Sequence, residues 1–199
     1  MSTARVPFVA LTGGIGAGKS TALDALGRLG AAVLSTDQVV HDLYLSAEVR
    51  DAVVARFGAE VAPDGVVDRR AVADRMFAGA EDRGWVEGLL WPRVGERMAA
   101  WRDEVAGRDP APAAAVVEVP LLFESGMAGV FDATIAVVAD EAVRSERAGG
   151  RGHAAVAERT ARQLTQEEKA AQAQYVVHND GTPAELERAL SAVLDMLRK

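Results

Sequence analysis

The feature that most constrains this chain is Gly13-Gly14-Ile15-Gly16-Ala17-Gly18-Lys19-Ser20, followed at once by Thr21. It fits the phosphate-loop pattern G-x-x-x-x-G-K-[ST] at every fixed position. At average residue usage those positions coincide by chance in about one chain in a hundred of this length. The flanks fit too. An apolar run, Val6 to Leu11, reads as a buried strand entering the loop, and Ala22, Leu23, Ala25, Leu26 and Leu29 recur at helical spacing until Gly30. Strand, glycine loop and helix together make an anion cradle. Glycines let consecutive N–H groups turn toward phosphate oxygens, and the helix N-terminus adds a favourable dipole. Gly14, Ile15, Gly16, Ala17, Gly18, Lys19, Ser20 and Thr21 are therefore expected to hold a nucleotide, with Lys19 at its β- and γ-phosphates and the Ser20 hydroxyl on Mg2+.

The rest of the composition narrows the class. The 199 residues hold only three lysines, Lys19, Lys169 and Lys199, and one stands where the loop needs it. A net charge of −7 disfavours nucleic acid as a partner, since phosphate backbones attract basic surfaces. Without cysteine there is no disulfide and no thiolate metal site. His41, His153 and His178 stand too far apart for a local ligand motif. No leader-like segment precedes Val6 and no apolar run approaches the roughly 20 residues of a membrane span. A cytoplasmic protein that works on small molecules, away from membranes, is expected.

Along the chain, Ala31 to Leu34 reads as a second strand, running into Ser35-Thr36-Asp37. No strand pattern follows until residue 113. Ser46 can cap a helix carrying Val49, Val53 and Phe57, closed by Gly58; Pro63-Asp64-Gly65 is a turn; Asp68 can cap the next helix. A third helical stretch holds Trp85, Trp91 and Trp101, which are expected in a local core, with lining a ligand groove as the alternative, and Pro92 forcing a kink or restart. Ala113 to Val119 and Ala133 to Ala139 are continuous apolar strands of the parallel-sheet kind, and Tyr175 to Val177 is a last short one. Thr182-Pro183-Ala184-Glu185 is a capping box with proline at the first helical position, opening an amphipathic helix. The fold class is α/β: a three-layer P-loop NTPase core with a five-stranded parallel sheet, a helical substrate-binding insert and a lid. Residues 1–44 and 108–199 form the core and 45–107 the insert. The stretch 145–165, with little apolar periodicity, is the lid.

No Asn-Lys-x-Asp guanine motif is present, and the third strand ends Val117-Glu118-Val119-Pro120. The compact size, helical insert and arginine-bearing lid suit a small-molecule kinase. Here the residues resemble one family, dephospho-CoA kinase. The resemblance runs through Leu11 to Thr21, Asp37, Asp64-Gly65 with Asp68-Arg69-Arg70, and Pro120-Leu121-Leu122-Phe123-Glu124. It ends with Arg159 to Gln163, Glu168-Lys169 and His178-Asn179-Asp180-Gly181. The sequence departs from the family pattern at Ser35, His41, Trp91 and Gln174 and in a lid a few residues short between Arg151 and Arg159, while Lys19, Ser20 and Asp37 are retained.

The resemblance implies transfer of the ATP γ-phosphoryl group to the 3′-hydroxyl of dephospho-CoA. Asp37, at a strand end where open α/β sheets bind ligands, would take the hydroxyl proton; as a plain helix cap it would do only structural work. By resemblance Arg147 steadies the transferring phosphoryl group, Arg69 and Arg70 meet substrate phosphates, and Leu121 and Glu124 shape the acceptor pocket. Asn179 and Gly181 border adenine. Two other readings stand beside this one: another nucleoside-monophosphate-type kinase, or a non-catalytic ATP-binding module. The chain is expected to be a monomer or a weak homo-oligomer.

Overall fold

The computed structural model describes residues 5–148 and 163–198. Most of the expected lid, 149–162, lies outside the described residues. Five strands form one parallel sheet: β1 (Phe8–Gly13), β2 (Ala32–Ser35), β3 (Ala115–Glu118), β4 (Ala133–Val138) and β5 (Tyr175–His178), in the order β2-β3-β1-β4-β5. β1 and β4 are buried at every position, as a strand with neighbours on both sides and helices on both faces must be. The strand that enters the loop begins and ends two residues later than the apolar run alone suggests. Phe8 is its first residue, and Thr12 and Gly13 still pair in the ladder.

Alternation across the pleat sorts the strand residues into two layers. On one face Val9, Leu11, Val116, Ile135, Val137 and Val177 meet α1 (Lys19–Arg28) and the C-terminal helix α8 (Pro183–Leu197). Leu26 and Leu190 are fully buried there, each contributing about 1.5–3 kcal/mol of burial. On the other face Phe8 stacks on Phe131 at 4.6 Å between ring centroids, and the Arg102 guanidinium lies 4.7 Å over the Phe8 ring. The short helix α7 (Gln166–Gln172) packs against β4 and β1.

The chain divides into two compact units. The sheet unit runs to Ser35 and resumes at Arg102; the helical unit is Thr36–Trp101. The latter contains α2 (Thr36–Leu45), α3 (Ala47–Phe57), α4 (Arg69–Ala78) and most of α5 (Ala80–Ala106). Its helix starts are local. The Ser46 hydroxyl accepts from the Val49 N–H, and the Asp68 carboxylate accepts from the N–H groups of Arg70 and Ala71. Its core gathers Tyr44, Val49, Val53, Phe57, Val61, Val67, Val72, Val86 and Leu90.

Pro92 does not restart α5, which runs unbroken from Ala80 to Ala106. Proline removes one N–H and presses on the carbonyl four residues back. That residue is Gly88, whose Cβ position faces open space. The tryptophans also part company. Trp85 packs edge-on against Phe57 at 5.6 Å, but Trp91 is 52% exposed. The buried stripe is Val86, Leu90, Val94 and Met98, and one residue beyond Leu90 turns the side chain about 100° away from it.

Candidate active site

The loop and the Arg144 and Asn179 side chains that hydrogen-bond to it lie in the sheet unit. β1 delivers Gly13 at the carboxyl end of the sheet, level with Val137 of β4, and Leu11 is level with Glu118 of β3. In open parallel sheets this edge is where ligands sit. Gly18, at φ 88°, directly precedes α1; a Cβ there would run into the Asn179 side-chain amide. Gly16, at φ 79°, lies so close to α6 (Glu141–Ala148) that a Cβ would stand 2.7 Å from the Arg144 carbonyl oxygen. These two positions therefore need glycine for both conformation and space.

Lys19 opens α1, and its ammonium donates to the Gly13 and Gly14 carbonyls at 3.1 and 3.0 Å. The lysine is thus folded over the loop it serves, its charge held beside the cradle. Ser20 and Thr21 follow in the first helical turn, both exposed. No acidic residue occupies that turn, which leaves the positive end of the helix dipole available to an anion.

Three polar side chains brace the loop from a distance in sequence. Asn179, buried just past β5, donates from Nδ2 to the Ala17 carbonyl at 2.8 Å, while its own N–H donates to Val138 at 2.8 Å. Arg147, in the last turn of α6, donates to the Asn179 carbonyl at 3.1 Å. Arg144 donates from Nε to the Ile15 carbonyl at 3.1 Å and from Nη1 to Glu141 at 2.9 Å. Its helical spacing reads equally well as a solvated face; the structure turns it onto the loop. Gln166 was not legible at all. Its amide exchanges two hydrogen bonds with the Ala139 backbone, 3.1 and 2.9 Å, pinning α7 to the end of β4. Gly181 packs beneath the Thr182–Glu185 capping box, whose Glu185 carboxylate leaves no room for a Cβ.

The loop after β3 carries the other expected positions of this unit. Leu121 is 39% exposed beside fully buried Leu122. Glu124 does not point at open solvent: its Oε1 meets the Lys169 ammonium at 2.9 Å and accepts from the Leu164 N–H at 2.9 Å.

In the helical unit, Asp37 is the second residue of α2, exposed, and lies two residues past the end of β2. It lies inside the first turn, so it does not stand at the cap position ahead of the helix. One turn on, His41 Nδ1 is 3.4 Å from the Arg69 guanidinium at the start of α4. Asp37 and His41, four apart, share a helix face. Burial pushes the Tyr44 hydroxyl above its ordinary pKa, and the Arg69 charge partly offsets that shift. Arg70 is exposed beside Arg69. This face of α2 and α4 thus combines a carboxylate, an imidazole and guanidinium groups.

Among the described residues no group of three or more His, Cys, Asp or Glu side chains could cage a metal ion. An exposed serine hydroxyl at the loop suits an ion held mainly by phosphates and water, as Mg2+ is beside nucleotides. Among the described residues no helix is long and apolar enough to cross a membrane.

A parallel β2-β3-β1-β4-β5 sheet with this loop after its central strand and a helical unit between β2 and β3 defines a P-loop kinase fold. The chain belongs to the dephospho-CoA kinase family, whose model matches residues 7–185. It is 35% identical over 195 residues to a dephospho-CoA kinase of Protochlamydia amoebophila, covering 96% of each chain. It is 37% identical over 183 residues to one of Mycolicibacterium paratuberculosis, covering 89% of this chain and 44% of that longer protein. Among solved structures, a Thermus thermophilus protein aligns with a TM-score of 0.78 at 31% identity, covering 96% of this chain and 98% of that one. Family membership makes the chain an ATP-dependent kinase.

Proposed function

We propose that the chain phosphorylates the 3′-hydroxyl of dephospho-CoA with ATP, releasing coenzyme A and ADP. The observation that carries this is the braced phosphate loop with Lys19 folded over it, in a chain of this family. The acceptor oxygen forms a bond to the γ-phosphorus as the bond to the β–γ bridging oxygen breaks, and the hydroxyl proton passes to Asp37. Phosphoryl transfer asks mainly for positioning and charge stabilisation, and these residues supply both.

Gly14 to Thr21 hold the triphosphate through backbone N–H groups, and Lys19 supplies a positive charge to the β- and γ-phosphates. Ser20 would hold Mg2+, which neutralises phosphate charge when bound. Arg147 leaves the Asn179 carbonyl to steady the transferring group, since a guanidinium fork suits phosphate oxygens. Asn179 and Gly181 border the adenine. In the helical unit, Arg69 and Arg70 bind acceptor phosphates, with His41 beside Arg69 as a further donor. Leu121 and Glu124 shape the acceptor side of the sheet unit. The deciding experiment incubates the protein with Mg-ATP and dephospho-CoA, AMP, CMP or shikimate, and identifies products by mass. Dephospho-CoA is expected to show the highest kcat/KM; a higher value for a nucleoside monophosphate would make this a different small-molecule kinase.

A further inference from the structure

Lys169 is fully buried, and among the described residues it is the only charged side chain in the set of largest fully buried ones. Removing an ammonium from water is costly unless its hydrogen bonds are replaced. Here they are replaced by one loop. Lys169 Nζ lies 2.5 Å from the Pro120 carbonyl and 2.9 Å from Glu124 Oε1. The Thr12 hydroxyl, one residue before the phosphate loop, also donates to Pro120 at 3.4 Å. Glu124 Oε1 further accepts from Leu164 N–H, whereas its buried Oε2 has no hydrogen-bond partner among the described residues. A carboxylate with one orphaned oxygen is held by its charge partner more than by a complete hydrogen-bond set. Glu124 therefore depends on Lys169.

We propose that Lys169 is a positioning residue for the acceptor. By gripping Pro120 and Glu124 together it sets the shape of the turn from Pro120 to Gly126, and so the acceptor affinity, without touching substrate. This rests on the reading above that Leu121 and Glu124 border the acceptor. A buried ion pair is a weak source of net stability compared with apolar residues of the same size. What it adds is direction, since two acceptors from one turn must meet one ammonium.

The test uses Lys169→Met, an unbranched apolar side chain one atom shorter, which removes the charge. Amide hydrogen exchange without ligand reads the turn, whose Ser125, Gly126 and Met127 N–H groups donate to Leu121, Phe123 and Leu122. Steady-state kinetics read the two substrates separately. The expected result is faster exchange at those three amides, with β1 amides unchanged. It also includes a KM for dephospho-CoA raised about tenfold, the equivalent of one hydrogen bond's contribution to affinity, while the KM for ATP stays within about twofold. A purely structural lysine would lower the melting temperature and the active fraction, leaving both KM values alone; that outcome overturns the proposal. If Lys169→Met does not fold, Glu124→Gln, which keeps the size and an oxygen for Leu164, must show the same KM split. Equal acceptor KM there also overturns it. The two readings fail separately. Wild-type protein inactive on dephospho-CoA removes the proposed function and this inference with it. An active wild type with an unshifted variant removes only the role of Lys169.

Discussion

Asn179 Nδ2 donates to the Ala17 carbonyl at 2.8 Å from a site that leaves no space for a side chain on Gly18. Asn179 and Ala17 are 162 positions apart, yet they meet at the phosphate loop. The amide fixes the direction of a carbonyl in the middle of the cradle, and Arg147 in turn donates to the Asn179 carbonyl. Replacing Asn179 with Ala orphans the Ala17 oxygen, at a cost of about 1–3 kcal/mol for a buried acceptor. A weaker ATP affinity is expected, read by titrating an ATP analogue, with kcat falling less. Gly18→Ala should do more harm, because it adds about 1–2 kcal/mol of left-handed strain to the collision with the amide. Unchanged analogue affinity in both variants would show that the contact does not shape the loop.

Lys19→Ala is expected to cut phosphoryl transfer by about 10²–10³-fold, the scale for losing one preorganised electrostatic donor. The ammonium now shared between the Gly13 and Gly14 carbonyls would be gone, with no other described lysine on the loop. Turnover close to wild type would place the nucleotide elsewhere.

Asp37→Asn separates chemistry from helix stability. Asp37 lies inside the first turn of α2, where a negative charge interacts with the helix dipole by about 0.3–1 kcal/mol. Loss of a general base costs about 10²–10⁴-fold in rate. A kcat reduced on that scale, with nucleotide affinity and melting temperature nearly unchanged, supports the base role. A kcat within about threefold of wild type, well short of that range, would leave Asp37 a helix-terminus residue.

The Glu185 carboxylate accepts from the Thr182 N–H at 2.7 Å and from its hydroxyl at 2.9 Å, and these bonds hold its pKa below the ordinary glutamate value. A group whose folded pKa is depressed stabilises the fold fully above the unfolded pKa, about 4.3. That stabilisation fades as pH falls through the lower folded value. Glu185→Gln should therefore lower the melting temperature at pH 7, and the gap from wild type should narrow below about pH 4. A gap that stays constant across this range would assign the effect to size rather than charge.

Much of this protein is determined by short-range chemistry and was therefore open to reading from the sequence alone. Glycine at 18 followed by Lys19 and Ser20 makes a phosphate loop wherever a strand precedes and a helix follows. Ser46, Asp68 and the Thr182–Glu185 box start their helices through bonds to N–H groups two or three residues on. The apolar runs that became β1, β3 and β4 carry burial on both faces in their own composition. Tertiary structure decided what depends on partners far along the chain. Nothing local tells Arg144 to turn onto Ile15, Asn179 onto Ala17, or Lys169 onto Glu124, because each needs the sheet to bring β1, β3, β4 and β5 to one edge. The same holds for Trp91, left exposed once packing chose the Val86–Leu90–Val94 stripe, and for Pro92, which lies within the length of α5. Capping and periodicity act over about one helical turn, whereas a buried polar side chain answers to whichever donor or acceptor the folded chain sets against it.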